Sequence, residues 1–228
     1  MATTGDLWHH YGRTRAKRDG GVPDAFRWTW DGNGGPGPEA LGDITGLTVG
    51  DLGAGSARQA AYLASRHHPA RVDAIDASPG QHTMSTALYA DLAPRLRFVH
   101  ADATAHLRTA PETYDVLYSV FGAIDFTDPR ALLPAVATAL RPGGRLVFST
   151  LAHYVSGAPA QSGVVPADIP ARTPEGEAAT MRRWVLHEDL WAGQLDKAGL
   201  TGVTAHVLSG SGSGPRPVDT LMVTAQYH

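Results

Sequence analysis

Val49-Gly50-Asp51-Leu52-Gly53-Ala54-Gly55-Ser56-Ala57-Arg58 joins an apolar run, Ile44 to Val49, to a helix-like run ending at Arg66. Strand, glycine turn and helix in that order open a nucleotide-binding α/β unit. Gly53 and Gly55 take backbone angles closed to other residues and let a ligand come close to the main chain. The helix behind them presents unpaired N–H groups. The full G-x-G-x-x-G spacing is not kept, since position 58 is Arg. That counts against a dinucleotide, whose pyrophosphate needs the helix N-terminus. Asp51, two residues before Gly53, suits a cationic ligand or the ordering of the loop through its backbone N–H groups.

Downstream, strands and helices alternate. Leu47–Leu52, Arg71–Asp76, Leu96–His100, Tyr114–Val120 and Arg145–Thr150 read as short apolar strands. Gln59–His67, Gly80–Leu92 and a run from Pro129 carry apolar residues at helical spacing. Arg141-Pro142-Gly143-Gly144 reads as a tight turn. This pace predicts a doubly wound, mostly parallel sheet with helices on both faces. After Thr150 the pattern breaks, and residues 151–186 read as a loop-rich insertion. His187–Ala198 returns to helix. Val203–Leu208 and Thr220–Gln226 read as strands, and the link between them is too short for a crossover, so they pair antiparallel.

The acidic residues fall in register with these strands. Asp76 ends the second strand, 21 residues after Gly55, where a carboxylate can accept from a ribose diol. It can also cap the next helix, although Ser78 is better placed for that. Asp102 follows the third strand and can accept from an exocyclic amine while the Ala103 N–H meets a ring nitrogen. The plain alternative is a helix cap. Asp51, Asp76 and Asp102 together mark the carboxyl edge, where open α/β sheets bind ligands.

Composition narrows the rest. The 228 residues suit one domain, the net charge is −3, and there is no cysteine. Near-neutral charge argues against a nucleic-acid or anionic-membrane partner. Met1–His10 has no apolar core, and no apolar run approaches the roughly 18 residues that span a bilayer. The expectation is a cytoplasmic protein, monomeric or homodimeric. Asp6–Arg18 and the alternating Phe26, Trp28 and Trp30 make residues 1–40 a lid, its aromatics packing on the core or lining a pocket. Among 11 histidines, no spacing completes a metal site, so none is expected.

With these motifs together, the sequence resembles the class I S-adenosylmethionine-dependent methyltransferases. VGDLGAGSA (49–57) resembles the family's glycine loop, VDAIDASPGQ (72–81) its acidic ribose strand, and FVHADA (98–103) its adenine motif. YDVLYSVFGAIDF (114–126) and LRPGGRLVFS (140–149) resemble the fourth strand and the turn into the fifth. The family often has a third glycine where this chain has Ala57, and a small residue is expected to suffice there. The resemblance implies a seven-stranded sheet of order 3-2-1-4-5-7-6, with strand seven antiparallel. It implies S-adenosyl-L-methionine as cofactor and S-adenosyl-L-homocysteine as product. Gly53, Ala54 and Gly55 would approach the methionyl part and ribose, with Asp51 supporting that end. Asp76 would hold the ribose hydroxyls, with Ala77 and Gln81 near the adenosine. Asp102 and Ala103 would read the adenine, and Ser119, Val120 and Phe121 would close beneath.

The implied acceptor is a small molecule, methylated on O, N or C, in bacterial natural-product biosynthesis. Residues 1–40 and 151–186 would cap it. If the acceptor needs a base, His153 comes first, with Tyr11 and His10 behind it. Two other readings stay open: a methyltransferase of tRNA or protein, with Arg13, Arg15, Lys17, Arg18 and Arg27 forming a basic patch, and a cofactor-binding protein of this fold, such as a cyclase, that does not methylate.

Overall fold

The computed structural model of the protein describes residues 7–8, 21–173, 176–211 and 217–228. Its first half is a run of β-α units. They are β1 (Thr48–Leu52), α1 (Arg58–Arg66), β2 (Arg71–Asp76), α2 (Pro79–Tyr89), β3 (Leu96–His100), α3 (Ala103–Arg108) and β4 (Tyr114–Val120). There follow α4 (Ala123–Phe126), α5 (Pro129–Ala139) and β5 (Leu140–Leu151). The second half holds β6 (Ala167–Arg172), β7 (Ala178–Arg183), α6 (Glu188–Lys197), β8 (Leu200–Leu208) and β9 (Thr220–Tyr227). Seven strands form one sheet in the order β3-β2-β1-β4-β5-β9-β8. Counted within that sheet, this is the predicted 3-2-1-4-5-7-6. β9 runs antiparallel to both of its neighbours, and the other pairings are parallel.

The central strands are apolar because both faces are covered. One core gathers Leu52, Leu117, Phe148, Leu133 and Trp191; the other gathers Val49, Val72, Leu63, Val116 and Tyr118. Gly50 serves packing: a Cβ there would lie 2.5 Å from Leu117 and 3.1 Å from the Tyr114 ring. Ser78 caps α2 by accepting from the Gln81 N–H at 3.2 Å, as its position predicts.

Two local expectations need correction. Residues 141–144 do not simply separate helix from strand. Leu140 pairs with Tyr114 and Arg145 with Val116, so the four residues bulge out within β5, turning at Gly143 with φ +82. Residues 151–186 are not only loop. β6 and β7 form a two-stranded antiparallel sheet, register Ala167↔Arg183 to Arg172↔Ala178. Pro170 is tolerated there because a two-stranded sheet has two edges.

At Ala57 the left-handed angle (φ +58), and not packing alone, explains why glycine suits the position. Alanine bears a strain of about 1 kcal/mol there.

Candidate active site

The glycine loop is held at both ends. Ile75 O accepts from the N–H groups of Gly53 (2.9 Å) and Ala54 (3.0 Å). Asp76 Oδ2 accepts from the Gly55 N–H at 2.8 Å, and its Oδ1 from the Ser78 N–H at 2.8 Å. Burial pushes the Asp76 carboxyl up, opposed by those two N–H groups and by His100. Each carboxylate oxygen keeps a further lone pair for a ligand hydroxyl.

Gln81, 4 % exposed, completes this wall. Its Nε2 donates to Trp8 O at 2.7 Å, which fixes the amide's orientation. Its Oε1 is buried without a hydrogen-bond partner and is the nearest atom, at 4.0 Å, to where a Cβ on Gly55 would project. Asp102 caps α3 through Oδ1, accepting from the Ala105 N–H at 2.9 Å, which is the plain alternative realised. It stays exposed, so Oδ2 is open to a ligand amine, while Ala103 beside it is buried. Ala77 is exposed, and its carbonyl lies 3.2 Å from His100 Nε2. Asp76 and Gln81 thus present hydrogen-bond acceptors beside Gly55, and Asp102 follows the neighbouring strand. That donor–acceptor chemistry fits a nucleoside bearing hydroxyls and an amine.

Asp51 lies deeper. It is 3 % exposed, and the Tyr118 hydroxyl donates to Oδ2 at 2.9 Å. Burial pushes its carboxyl up to about 7; the Tyr118 hydroxyl pulls it down, and Asp76 adds to the rise. An acid raised in this way favours the folded state while it is protonated. Its contribution is full below about pH 4 and is lost as pH rises through about 7. Asp51→Asn is therefore expected to make the fall in ligand-free stability between pH 5 and 7.5 shallower, as read by urea unfolding at the two pH values. A fall of unchanged steepness would contradict this.

The fourth-strand residues divide. Ser119 is structural: its hydroxyl donates to Leu52 O at 2.7 Å and ties β4 to β1. Val120 is half-buried. Phe121 takes a left-handed φ of +49 and packs edge-on against Trp30, with ring centres 5.1 Å apart. Of the three alternating aromatics, Phe26 and Trp28 go into the core, and Trp30 turns to this edge.

His153, expected as a base, has both ring nitrogens engaged by the main chain. With neutral imidazole, Nδ1 donates to Tyr154 O at 3.0 Å and Nε2 accepts from the Asp219 N–H at 3.2 Å. Taking a substrate proton on Nε2 would break the second of these bonds. The ring pins the end of β5 to the start of β9. His153→Gln is expected to cost about 1 kcal/mol in urea unfolding, the worth of such a bond, without weakening cofactor binding. A loss of cofactor affinity would overturn this reading. His10 and Tyr11 lie outside the described residues, as do Arg13, Arg15, Lys17 and Arg18; Arg27 is exposed.

The sequence did not single out Asp125 and Arg183. Arg183, in β7, donates through Nε (3.0 Å) and Nη2 to the same Asp125 oxygen. Their side chains are 0 % (Asp125) and 5 % (Arg183) exposed. Burial pushes the Asp125 carboxyl up, and the guanidinium holds it down. The guanidinium lies 5.1 Å from the Trp30 ring centre and 5.2 Å from that of Phe126. A cavity of about 300 Å³ is lined by Leu7, Trp8, Phe126, Asp168, Met181 and Trp184, among others, and Arg183 is not among its lining residues. Among the described residues, no helix is long and apolar enough to cross a membrane.

Residues 49–144 match the family model described as a methyltransferase domain. This span holds the glycine loop, Asp76 and Asp102. Residues 49–144 are thus similar to a methyltransferase domain. The chain is 35% identical over 114 residues to a demethylmenaquinone methyltransferase of Clavibacter sepedonicus, covering 49% of this chain and 45% of that protein. It is 30% identical over 115 residues to a ubiquinone biosynthesis O-methyltransferase of Aliivibrio fischeri, covering 50% and 47%. The matched part is thus about half the length of these curated relatives.

Among solved structures, an S-adenosylmethionine-dependent methyltransferase from Mesorhizobium loti superposes with TM-score 0.61 at 22% identity, over 82% of this chain and 94% of that one. The 1,6-didemethyltoxoflavin-N1-methyltransferase of Burkholderia thailandensis gives 0.56 at 21%, over 83% and 74%. At those identities the likeness concerns the fold. The matched span holds the glycine loop, and Trp30, Arg183 and the β6–β7 sheet lie outside it.

Proposed function

We propose that this chain binds S-adenosyl-L-methionine along the carboxyl edge of β1, β2 and β3 and transfers its methyl group to a small-molecule acceptor, releasing S-adenosyl-L-homocysteine. The observation that carries the reading is the set of acceptors around Gly55: the Asp76 carboxylate and the buried, unpartnered Gln81 Oε1. Asp76 and Gln81 hold the ribose hydroxyls, Asp102 Oδ2 takes the adenine amine, and Gly53, Ala54 and Gly55 leave room at the main chain. Asp51, beneath the loop, favours a cation in its ionised form.

When bound, the cofactor supplies a methyl already activated on sulfonium, so that the acceptor's bond to carbon forms as the carbon–sulfur bond breaks and sulfur keeps the pair. The chain's task is then to hold the acceptor in line and exclude water. Trp30, Phe121 and Phe126 supply an apolar wall for this beside the fourth-strand edge. The relatives' names point the same way, to quinone biosynthesis and to 1,6-didemethyltoxoflavin. The role in bacterial natural-product biosynthesis stays with the acceptor reading.

The test is turnover: labelled S-adenosyl-L-methionine is incubated with small phenols, enols and amines, and separately with tRNA and protein extract. Label in a small product with S-adenosyl-L-homocysteine formed is the expected result. Label only in the macromolecular arms would overturn the acceptor class, and cofactor binding with no transfer in any arm would favour a non-methylating role.

A further inference from the structure

Resting on that reading and extending it to the acceptor's chemistry, we infer that Arg183 anchors the acceptor and that the acceptor offers it a planar oxyanion. Arg183 is 4 % exposed, and two of its three nitrogens are spent on one oxygen of Asp125. Nη1 makes no hydrogen bond to any described residue. Nη1 keeps some contact with solvent, and its N–H groups can meet an acceptor oxygen there.

Approach to that nitrogen is restricted. Trp30 and Phe126 cover the guanidinium at 5.1 and 5.2 Å. This leaves its edge, the direction from which an oxyanion meets an arginine in plane. Aromatic walls favour a flat acceptor. Trp30 also packs on Phe121, the residue that follows β4, so the anchored edge adjoins the edge that holds the cofactor. Asp125 fixes the guanidinium's orientation from the opposite side.

The arrangement also answers a chemical need. The two nitrogens of His153 are engaged by the main chain, so the proton of a phenol or enol is not taken there. A fixed cation beside the oxygen lowers that group's pKa and lets it bind already ionised.

The test uses the full chain saturated with S-adenosyl-L-homocysteine, at about pH 8.5, where phenols activated by a nitro group are ionised and Arg183 stays charged. Three probes of one shape are titrated: 4-nitrophenolate, 4-nitrobenzoate and the neutral 4-nitrobenzyl alcohol. At least one anion is expected to bind about tenfold tighter than the alcohol, the worth of one charge-assisted hydrogen bond. Preference for the phenolate makes the anchored oxygen the ring oxygen itself; preference for the benzoate makes it a separate carboxylate.

The double variant Asp125→Asn/Arg183→Met removes both charges together, and Arg183→Lys keeps one. The double variant should lose the anion preference while its S-adenosyl-L-homocysteine affinity stays within about twofold, and the lysine variant should keep part of the preference. Equal binding of all three probes by the native protein, binding of none, or a preference that survives in the double variant would each overturn the assignment, leaving Arg183 as a tie between β7 and α4. Failure of the native protein to bind S-adenosyl-L-homocysteine would instead overturn the functional reading, and that affinity is measured first.

Discussion

Gly53→Ala is expected to lower the unfolding free energy by about 3 kcal/mol or more and to remove measurable S-adenosyl-L-homocysteine binding. Gly53 sits at φ +77, and a Cβ there would lie 2.2 Å from the Ala123 nitrogen and 2.8 Å from the Gly122 carbonyl carbon. Both neighbours are main chain, so no side chain can swing aside. Gly122 is equally tight, since a Cβ on it would come within 2.4 Å of Leu52 O and 2.7 Å of Gly53 O. The loops after β1 and β4 touch backbone to backbone. A methyl group wedged between them would pull Gly53 from Ile75 O and move the whole cradle. Gly55→Ala is the matched control. At φ +55 its nearest atom would be Gln81 Oε1 at 4.0 Å, so it meets strain of about 1 kcal/mol and no clash. It should melt near the native protein while still narrowing the space for a ligand. Urea unfolding of the two variants checks this, and equal stabilities would contradict it.

Arg183→Met and Asp125→Asn are each expected to cost about 3–5 kcal/mol, because each leaves one buried group without its charged partner. The side chains are 5 % and 0 % exposed, so water cannot readily replace the missing group. The pair also joins separate parts of the chain: Arg183 lies in the β6–β7 sheet, Asp125 in the helix after β4, and the Trp184 N–H donates to Asp125 O at 2.7 Å. Asp125→Asn/Arg183→Met should recover most of the loss, because removing both charges also removes the desolvation cost. Unfolding of the singles and the double in one cycle measures the coupling. Single variants within about 1 kcal/mol of native, the range of exposed pairs, would contradict the burial argument.

These residues also show what a sequence can and cannot disclose. The parallel core was legible because its signals are local: an apolar run, a glycine turn, then helical spacing, repeated. Strand order followed from family resemblance and from a last connection too short for a crossover. The β6–β7 sheet was hidden by composition, since Pro170 and the surrounding Gly and Ser mark turns more strongly than Ile169 and Met181 mark strands. Asp125 and Arg183 are 58 residues apart, and nothing local says that a charged pair will be buried. His153 was placed at the right edge of the sheet, but the Asp219 N–H that takes its lone pair comes from 66 residues further on. Gln81 was legible in position only; its unpartnered oxygen depends on Trp8, 73 residues earlier. Local patterns reached the scaffold, and long-range pairing shaped the surroundings of Asp125, Arg183 and His153.

The most direct measurement is calorimetric titration of S-adenosyl-L-homocysteine into the native protein and into Asp76→Ala. The account predicts one site in the native protein and affinity at least about tenfold weaker in the variant, since a hydrogen bond to a charged group is worth roughly 1.5–3 kcal/mol. No binding to the native protein, or equal affinity in the two, would contradict it.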